Sequence, residues 1–406
     1  MSWTERSLDE LGTVSRGRSR NRPRDAAHLF GGEFPFVQTG DVKHSGLYLT
    51  NYSNTYSEAG LAQSRLWPEG TLCITIAANI ADTSILKIEA CFPDSVIGFV
   101  PEKGKADVRF IKYLFDATLK KKYKTFTQGA AQDNLSQGKL LSIKFPVPDI
   151  TVQEEIANLL SKYDDLIENN KRRIELLEES ARHLYKEWFV RFRFPGHEHV
   201  KIIDGVPEGW VNKSIGELGE VKGGKRLPKG AELLDIVTRH PYLRVTDMSN
   251  RGLDFSQVLY INEETHLKIR NYVISSSDIY ISIAGTIGRV GFVPKQFDNA
   301  NLTENAAKIC FTDSPYLRTF ILFYLKSDVG QSKISSQTGG TSQPKLAIYK
   351  IRNLGLTIPT NTLLVQFHEL ASNILKQIEC LQLESSKLEN ARDLLLPKLM
   401  NGELAV

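Results

Sequence analysis

The feature that most constrains this chain is that it repeats itself. WTERSLDELGTVSRG (Trp3 to Gly17) aligns without gaps to WVNKSIGELGEVKGG (Trp210 to Gly224), matching at seven of fifteen positions, where average composition gives about one. TQGAAQDNLSQGKLLSIKFPVP (Thr127 to Pro148) parallels TGGTSQPKLAIYKIRNLGLTIP (Thr338 to Pro359), and ESARHL (Glu179 to Leu184) parallels ENARDL (Glu389 to Leu394). Three blocks in one order and at nearly constant offset define a unit of roughly 205 residues used twice.

Each unit reads the same way. Short strand-like runs such as FPFVQTGDV and HPYLRVTDM, then TLCITIA and DIYISIAGTIG, are separated by Gly, Asn and Pro, the pattern of a β-rich body. Around Val108 to Leu119 and Tyr316 to Leu325 the apolar spacing turns helical. An extended segment ending in Pro148 or Pro359 then leads into a long helix. The expected fold is α+β: a first body over 1–150, a first long helix over 151–194, a connector over 195–207, a second body over 208–360 and a second long helix over 361–406.

The first long helix carries the strongest local signal. Ile156, Leu160, Tyr163, Ile167, Asn170, Ile174, Leu177, Ala181, Leu184 and Trp188 step by four and three without interruption, the seam of a coiled coil with one polar position. Thr151 with Glu154 suggests a capping box, and Pro195-Gly196 a stop. About 40 residues make a rod of about 60 Å. In the second unit Leu370, Ile374, Ile378, Leu381, Leu388, Ala391 and Leu395 give a looser stripe, interrupted at Gln377, Glu384 and Ser385. A seam of this length needs a partner. The expectation is that the two helices pack antiparallel as a spacer, with a body near each end and a pseudo-twofold axis between them.

Charge follows the same division. The net charge of +4 is small, but residues 1–150 hold 19 Lys+Arg against 16 Asp+Glu and residues 208–360 hold 19 against 14, while both helices are mildly acidic. A polyanion is attracted to the bodies and not to the helices. No apolar run reaches the length needed to cross a bilayer, the opening residues lack a secretory pattern, and the four cysteines form no CxxC pair. A reducing, cytoplasmic setting is the expectation.

Catalytic signatures are missing. The sequence holds no GxxxxGK[ST], HExxH or GxSxG, and AGTIGRVG has the spacing of turn glycines. Carboxylate and lysine pairs at Asp41/Lys43 and Glu220/Lys222 do not recur in the other unit. A binder is expected, with no catalytic residue, no metal site and no cofactor of its own.

Two kinds of loop suit nucleic acid. RGRSRNRPR places Arg16, Arg18, Arg20, Arg22 and Arg24 at every second position, and in an extended segment these guanidiniums lie on one side, spaced for successive phosphates. The corresponding point of unit two is KGGKRLPKG, with Lys222, Lys225, Arg226 and Lys229. Gln128, Gln132 and Asn134 in QGAAQDN, and Thr341, Ser342, Gln343 and Lys345 in GGTSQPK, are small and polar, suited to base edges and phosphates. Plain turn chemistry and solvated surface charge account for the same residues.

LYKEWFVRFRFPG followed by DGVPEGWVNKSIGELGEV, together with DIYISIAGTIG, TGGTSQPKL and the Pro exit into a coiled-coil helix, resembles the specificity (DNA-recognition) subunits of type I restriction-modification enzymes. The resemblance covers nearly the whole chain. It implies two target-recognition domains, each reading one half of a split, asymmetric site in double-stranded DNA. The helices would set the gap and dock two adenine-methyltransferase subunits, with restriction and translocase subunits in the full complex. S-adenosylmethionine, ATP and Mg2+ would belong to those partners. It also implies a prokaryotic, nucleoid-associated protein. Unit one has IAANIAD where unit two has IAGTIGR, so Thr286 and Arg289 are candidates in unit two alone. The competing readings are a protein-binding coiled-coil scaffold with incidental basic loops, which salt-dependent duplex binding would exclude, and a recognition module of a restriction-methylation system other than type I.

Overall fold

The structure, a computed structural model, describes residues 3–77, 80–126, 135–249, 252–254, 258–311, 314–339 and 344–406. The chain divides into two compact units, one of residues 1–169 with 387–406 and the other of 170–386. Each long helix therefore contributes one half to each unit.

The first unit is built on a five-stranded sheet in the order Gly12–Arg16, Val96–Pro101, Leu72–Thr75, Thr83–Leu86, Tyr48–Leu49. Its first three junctions are antiparallel and the last is parallel. Leu72–Thr75 is buried at all four positions, as a central strand covered on both faces must be. The helix Val108–Phe126 lays Phe110, Ile111, Leu114 and Phe115 on this sheet. Thr4–Arg6 pairs antiparallel with Phe145–Val147, so the start of the unit is tied to its exit.

The second unit repeats that frame. Its four-stranded sheet runs Glu220–Gly223, Ala306–Cys310, Ile279–Ser282, Val290–Phe292, the same connectivity as the first four strands of unit one. Val211–Ser214 pairs with Gly355–Ile358 as Thr4–Arg6 does with Phe145–Val147. A second four-stranded sheet, Leu259–Ile261, His240–Leu243, Ala300–Leu302, Val273–Ile274, belongs to this unit.

The first repeated sequence block has a physical cause in both units. Its Ser-x-x-Glu is a capping box: Ser7 N–H donates to Glu10 Oε2 at 2.6 Å, and Ser214 N–H to Glu217 Oε2 at 2.7 Å. Its last glycine marks a close backbone approach. A Cβ on Gly17 would lie 2.3 Å from the Phe92 carbonyl oxygen, and one on Gly224 would lie 2.1 Å from that of Thr303. No side chain fits there.

The first long helix runs Ile150–Tyr185. It starts with Gln153 N–H donating to the Asp149 carbonyl, so Thr151 already lies inside it and the expected Thr151/Glu154 box is not the cap. The α-helix ends well before Pro195: at Tyr185 it widens into a π-helical turn, Lys186–Val190, because Tyr185, Trp188 and Phe189 are all drawn into the core of unit two. Ile156, Leu160, Ile167, Asn170, Ile174 and Ala181 are buried and Tyr163, Leu177 and Leu184 half-buried, as the heptad requires; Trp188 is buried from the π turn.

The second long helix runs Asn361–Met400. Here the stripe differs from the expected one. Leu370 is 49% exposed, while Phe367 and Ala371 are fully buried. The inward positions are Phe367, Ala371, Ile374, Ile378, Leu381, Ser385, Leu388, Arg392, Leu395 and Leu399, all buried or half-buried. In the first unit Arg392 pairs with Asp164, and Leu395, Leu396, Leu399 and Met400 join Ile156, Ala157 and Leu160 in one core. In the second unit Ile174 and Leu177 meet Ile374, Ile378 and Leu381. Partners descend in number on one helix as they ascend on the other, so the two run antiparallel. No helix among the described residues is long and apolar enough to cross a membrane.

Candidate nucleic-acid interface

In unit one the expected alternation holds over the first part of the run, where Arg16, Arg18 and Arg20 are exposed and Gly17 and Ser19 between them are buried; from Asn21 the chain bends and turns, and Arg22, Pro23 and Arg24 are all exposed. The loop is held from beneath. Gln63 Oε1 accepts from the backbone N–H of Arg20 (2.5 Å) and Asn21 (3.0 Å), and Ser64 Oγ donates to the Arg18 carbonyl at 2.9 Å. The five guanidiniums are not equivalent. Arg16 donates through Nε and Nη2 to the Asp94 carbonyl, and Arg24 pairs with the Asp94 carboxylate at 2.7 Å. Arg22 turns back on the carbonyls of Ser19 and Asn21, both at 2.7 Å. Arg18 and Arg20 alone of the five have no side-chain partner among the described residues.

Unit two shows the same partition. Arg226 pairs with Glu304 at 2.7 Å, and the Lys225 ammonium sits 5.5 Å from the centre of the Tyr272 ring. Lys229 is exposed and has no partner among the described residues.

The AGTIGR turn is a closed device. Ser282 Oγ accepts from Arg289 N–H at 2.8 Å and donates to the Thr286 carbonyl at 2.6 Å. Arg289 is half-buried and its Nη1 donates to the carbonyls of Val245 and Met248, so the guanidinium braces the body, while Thr286 is exposed. Leu346 N–H donates to the Ile283 carbonyl at 2.9 Å, and Lys345 forms an antiparallel bridge with Ala284. Two loops distant in sequence are thus joined, with Thr286 and Lys345 both exposed beside the join. Gln128, Gln132, Asn134, Thr341, Ser342 and Gln343 lie outside the described residues.

Sequence reasoning missed Asp94, which organises two of the five arginines; its only signal is a Pro-Asp turn (Pro93-Asp94) far along the chain. It also missed Tyr349, 61% exposed one residue from Lys350. The two carboxylate and lysine pairs have ordinary duties. Asp41 accepts from Gln38 N–H at 2.8 Å at a helix start, and Glu220 pairs with Lys222 at 2.7 Å on an exposed strand. Among the described residues no group of three or more His, Cys, Asp and Glu side chains could hold a metal ion.

The family model for the type I restriction modification DNA specificity domain matches the chain twice, over residues 1–179 and 207–389. The MjaIX specificity subunit of Methanocaldococcus jannaschii is 26% identical over all of this chain and 94% of its own length. The HindI specificity subunit of Haemophilus influenzae is 22% identical over 99% of each chain. Among solved structures, the type I S subunit from M. genitalium superposes with a TM-score of 0.59 at 16% identity, covering 98% of this chain and 96% of that one, which establishes a shared fold. With the family's domain on each half of the repeat, the chain belongs to the type I restriction-modification DNA specificity family, whose members give such systems their DNA sequence specificity.

Proposed function

We propose that this chain reads a split, asymmetric site in double-stranded DNA, with residues 1–150 on one half-site and 208–360 on the other. The observation that carries the reading is the pair of unpaired, exposed guanidiniums of Arg18 and Arg20, alternating with buried positions on a braced loop. Lys229, Thr286 and Lys345 are their candidates in unit two. Free cations at this spacing release counterions from phosphates, while arginines already bonded within the body hold the loop in shape. The long helices, over 151–194 and 361–406, set the unspecified gap and dock two adenine-methyltransferase subunits; restriction and translocase subunits join in the full complex. Methylation, translocation and cleavage reside in those partners, with their S-adenosylmethionine, ATP and Mg2+. The chain acts on the nucleoid in the cytoplasm of a prokaryote.

The test is a map of N6-methyladenine by single-molecule sequencing in the host, in a strain lacking this gene, and in one whose residues 1–150 come from a relative. The expected outcome is loss of one split motif in the second strain and change of one half only in the third. Unchanged methylation with an active methyltransferase present would overturn the proposal.

A further inference from the structure

Unit two contains a cavity of ≈ 880 Å³ walled by both long helices and by the body of the same unit, a size typical of small-molecule sites. Its apolar wall includes Phe292, Leu322, Phe323 and Leu375. Against that wall stand two cations, Arg318 and Lys326, that form no ion pair among the described residues; the Glu178 carboxylate acts on Lys326 only at a distance. Arg318, from the helix Pro315–Lys326, lies with its guanidinium 4.7 Å from the centre of the Phe292 ring and donates through Nη1 to the Ser276 carbonyl at 3.0 Å. Its Nε is buried with no hydrogen-bond partner. The carboxylate that feels its charge, Asp278, is already taken by Lys308 at 3.1 Å and by the backbone N–H of Ser275 at 3.0 Å. Lys326, half-buried at the end of the same helix, has no hydrogen bond or ion pair among the described residues. Lys376 of the second long helix and Lys295 also line the space; the facing carboxylates are Glu178 and Glu379.

Burial pushes the Arg318 guanidinium and the Lys326 ammonium below their ordinary values. It also lowers the His368 imidazole, which sits with its Nδ1 2.8 Å from Thr319 Oγ1 and feels Arg318 and Lys376. Keeping desolvated cations unpaired opposes folding. A bound anion would remove that penalty, and the apolar wall would hold a carbon body beside it.

We propose that this cavity is a binding site for an organic anion, a carboxylate or phosphate monoester carried on an aromatic or aliphatic body, with Arg318 and Lys326 holding the anionic head. Because its walls come from Glu178 and Arg182 of the first long helix, Leu375 and Glu379 of the second, and Phe292 and Arg318 of the body, an occupant ties the body of unit two to the helices.

Calorimetric titration of the full chain with 1-naphthoate, 1-naphthyl phosphate and the neutral 1-naphthalenemethanol tests this. The two anions should bind one to one and at least about tenfold more tightly than the alcohol. Arg318→Gln should weaken the anions by about tenfold and leave the alcohol unchanged. Lys326→Gln, at the second cation, should act in the same direction and guards against a folding defect in the first variant. Ser372→Trp, which fills the space from the helix wall, should weaken all three probes. A preference for the phosphate or for the carboxylate identifies the head group, and either supports the site. Absence of anion binding, equal affinity for the alcohol, or anion affinity unchanged in both charge variants with melting curves intact would overturn it.

Discussion

The two halves of the chain agree where backbone meets backbone and disagree where side chains meet solvent. Gly17 and Gly224 occupy the same tight contact, and Ser7–Glu10 and Ser214–Glu217 form the same cap. The basic loops that follow share only their sign: an alternating arginine run braced by Gln63, Ser64 and Asp94 in one half, a Gly/Pro loop with one ion pair and one cation–π contact in the other. A carbonyl about 2 Å from where a Cβ would stand admits one residue. An exposed loop accepts many, provided something beneath it holds its path. A recognition chain can therefore keep its frame and change what it reads.

The most damaging way to test that contrast is at the frame. Gly224→Ala should destabilise by about 3 kcal/mol or more, seen as a lower urea midpoint, and Gly17→Ala should do the same; a neutral result at either would show that the approach relaxes cheaply. Next is the Asp164–Arg392 pair, which Tyr113 also bonds through its hydroxyl. With both side chains largely buried, Asp164→Ala should cost about 3 kcal/mol. The double change with Arg392→Met should recover part of that, and additivity of the two single effects would rule out a direct coupling.

The loops come third. Replacing Arg18 and Arg20 together by Ala should flatten the salt dependence of DNA binding, log K against log salt, by about 1 for each phosphate no longer neutralised. Arg22→Ala, whose guanidinium is bonded to its own loop, should leave that slope nearly unchanged. Equal slopes for the two variants would erase the distinction between free and bonded arginines.

The smallest effect is in the cap. Hydrogen bonds from Ser7 N–H, then Lys144 and the Ser7 hydroxyl, lower the Glu10 carboxyl to about 2. A carboxyl lowered on folding stabilises the fold above its unfolded value, near 4.5, and that contribution fades as pH falls toward 2. Glu10→Gln should therefore melt earlier than the parent at neutral pH and converge with it in acid. A constant difference across that range would show that the charge is irrelevant. Glu217, lowered chiefly by the Ser214 hydroxyl, should behave alike in the other half.

Much of this was legible in the sequence because local chemistry and the tertiary contact agreed. The repeat and the two long helices are examples. The seam of the second helix was not, because it is partly polar. Ser385 and Arg392 hold inward positions that an apolar count skips, and Leu370, which the count includes, faces water. Arg392 sits inward because Asp164 meets it, 228 residues away in the chain. The fate of the arginines was hidden for the same reason. Nothing within RGRSRNRPR says that Asp94 engages Arg16 and Arg24, or that Arg289 turns inward onto Val245 and Met248. The π turn at Lys186–Val190 reflects the pull of aromatic packing on Trp188 and Phe189 and leaves no mark in the heptad.

Asn170 is the one polar residue in the first helix's seam. It is buried, and its Nδ2 has no hydrogen-bond partner among the described residues. An apolar residue there would strengthen the pair, yet it would remove one of the polar positions that, with the Asp164–Arg392 pair, distinguish this alignment from a slip of seven residues. The amide works as a mark on a scale, a layer that is not interchangeable with its apolar neighbours. If the helices set the gap as proposed, matched seven-residue insertions in both, between Ile167 and Ile174 and between Leu381 and Leu388, should lengthen the spacing between methylated half-sites and leave both their sequences unaltered. An Asn170→Leu variant should raise the melting temperature while loosening that spacing.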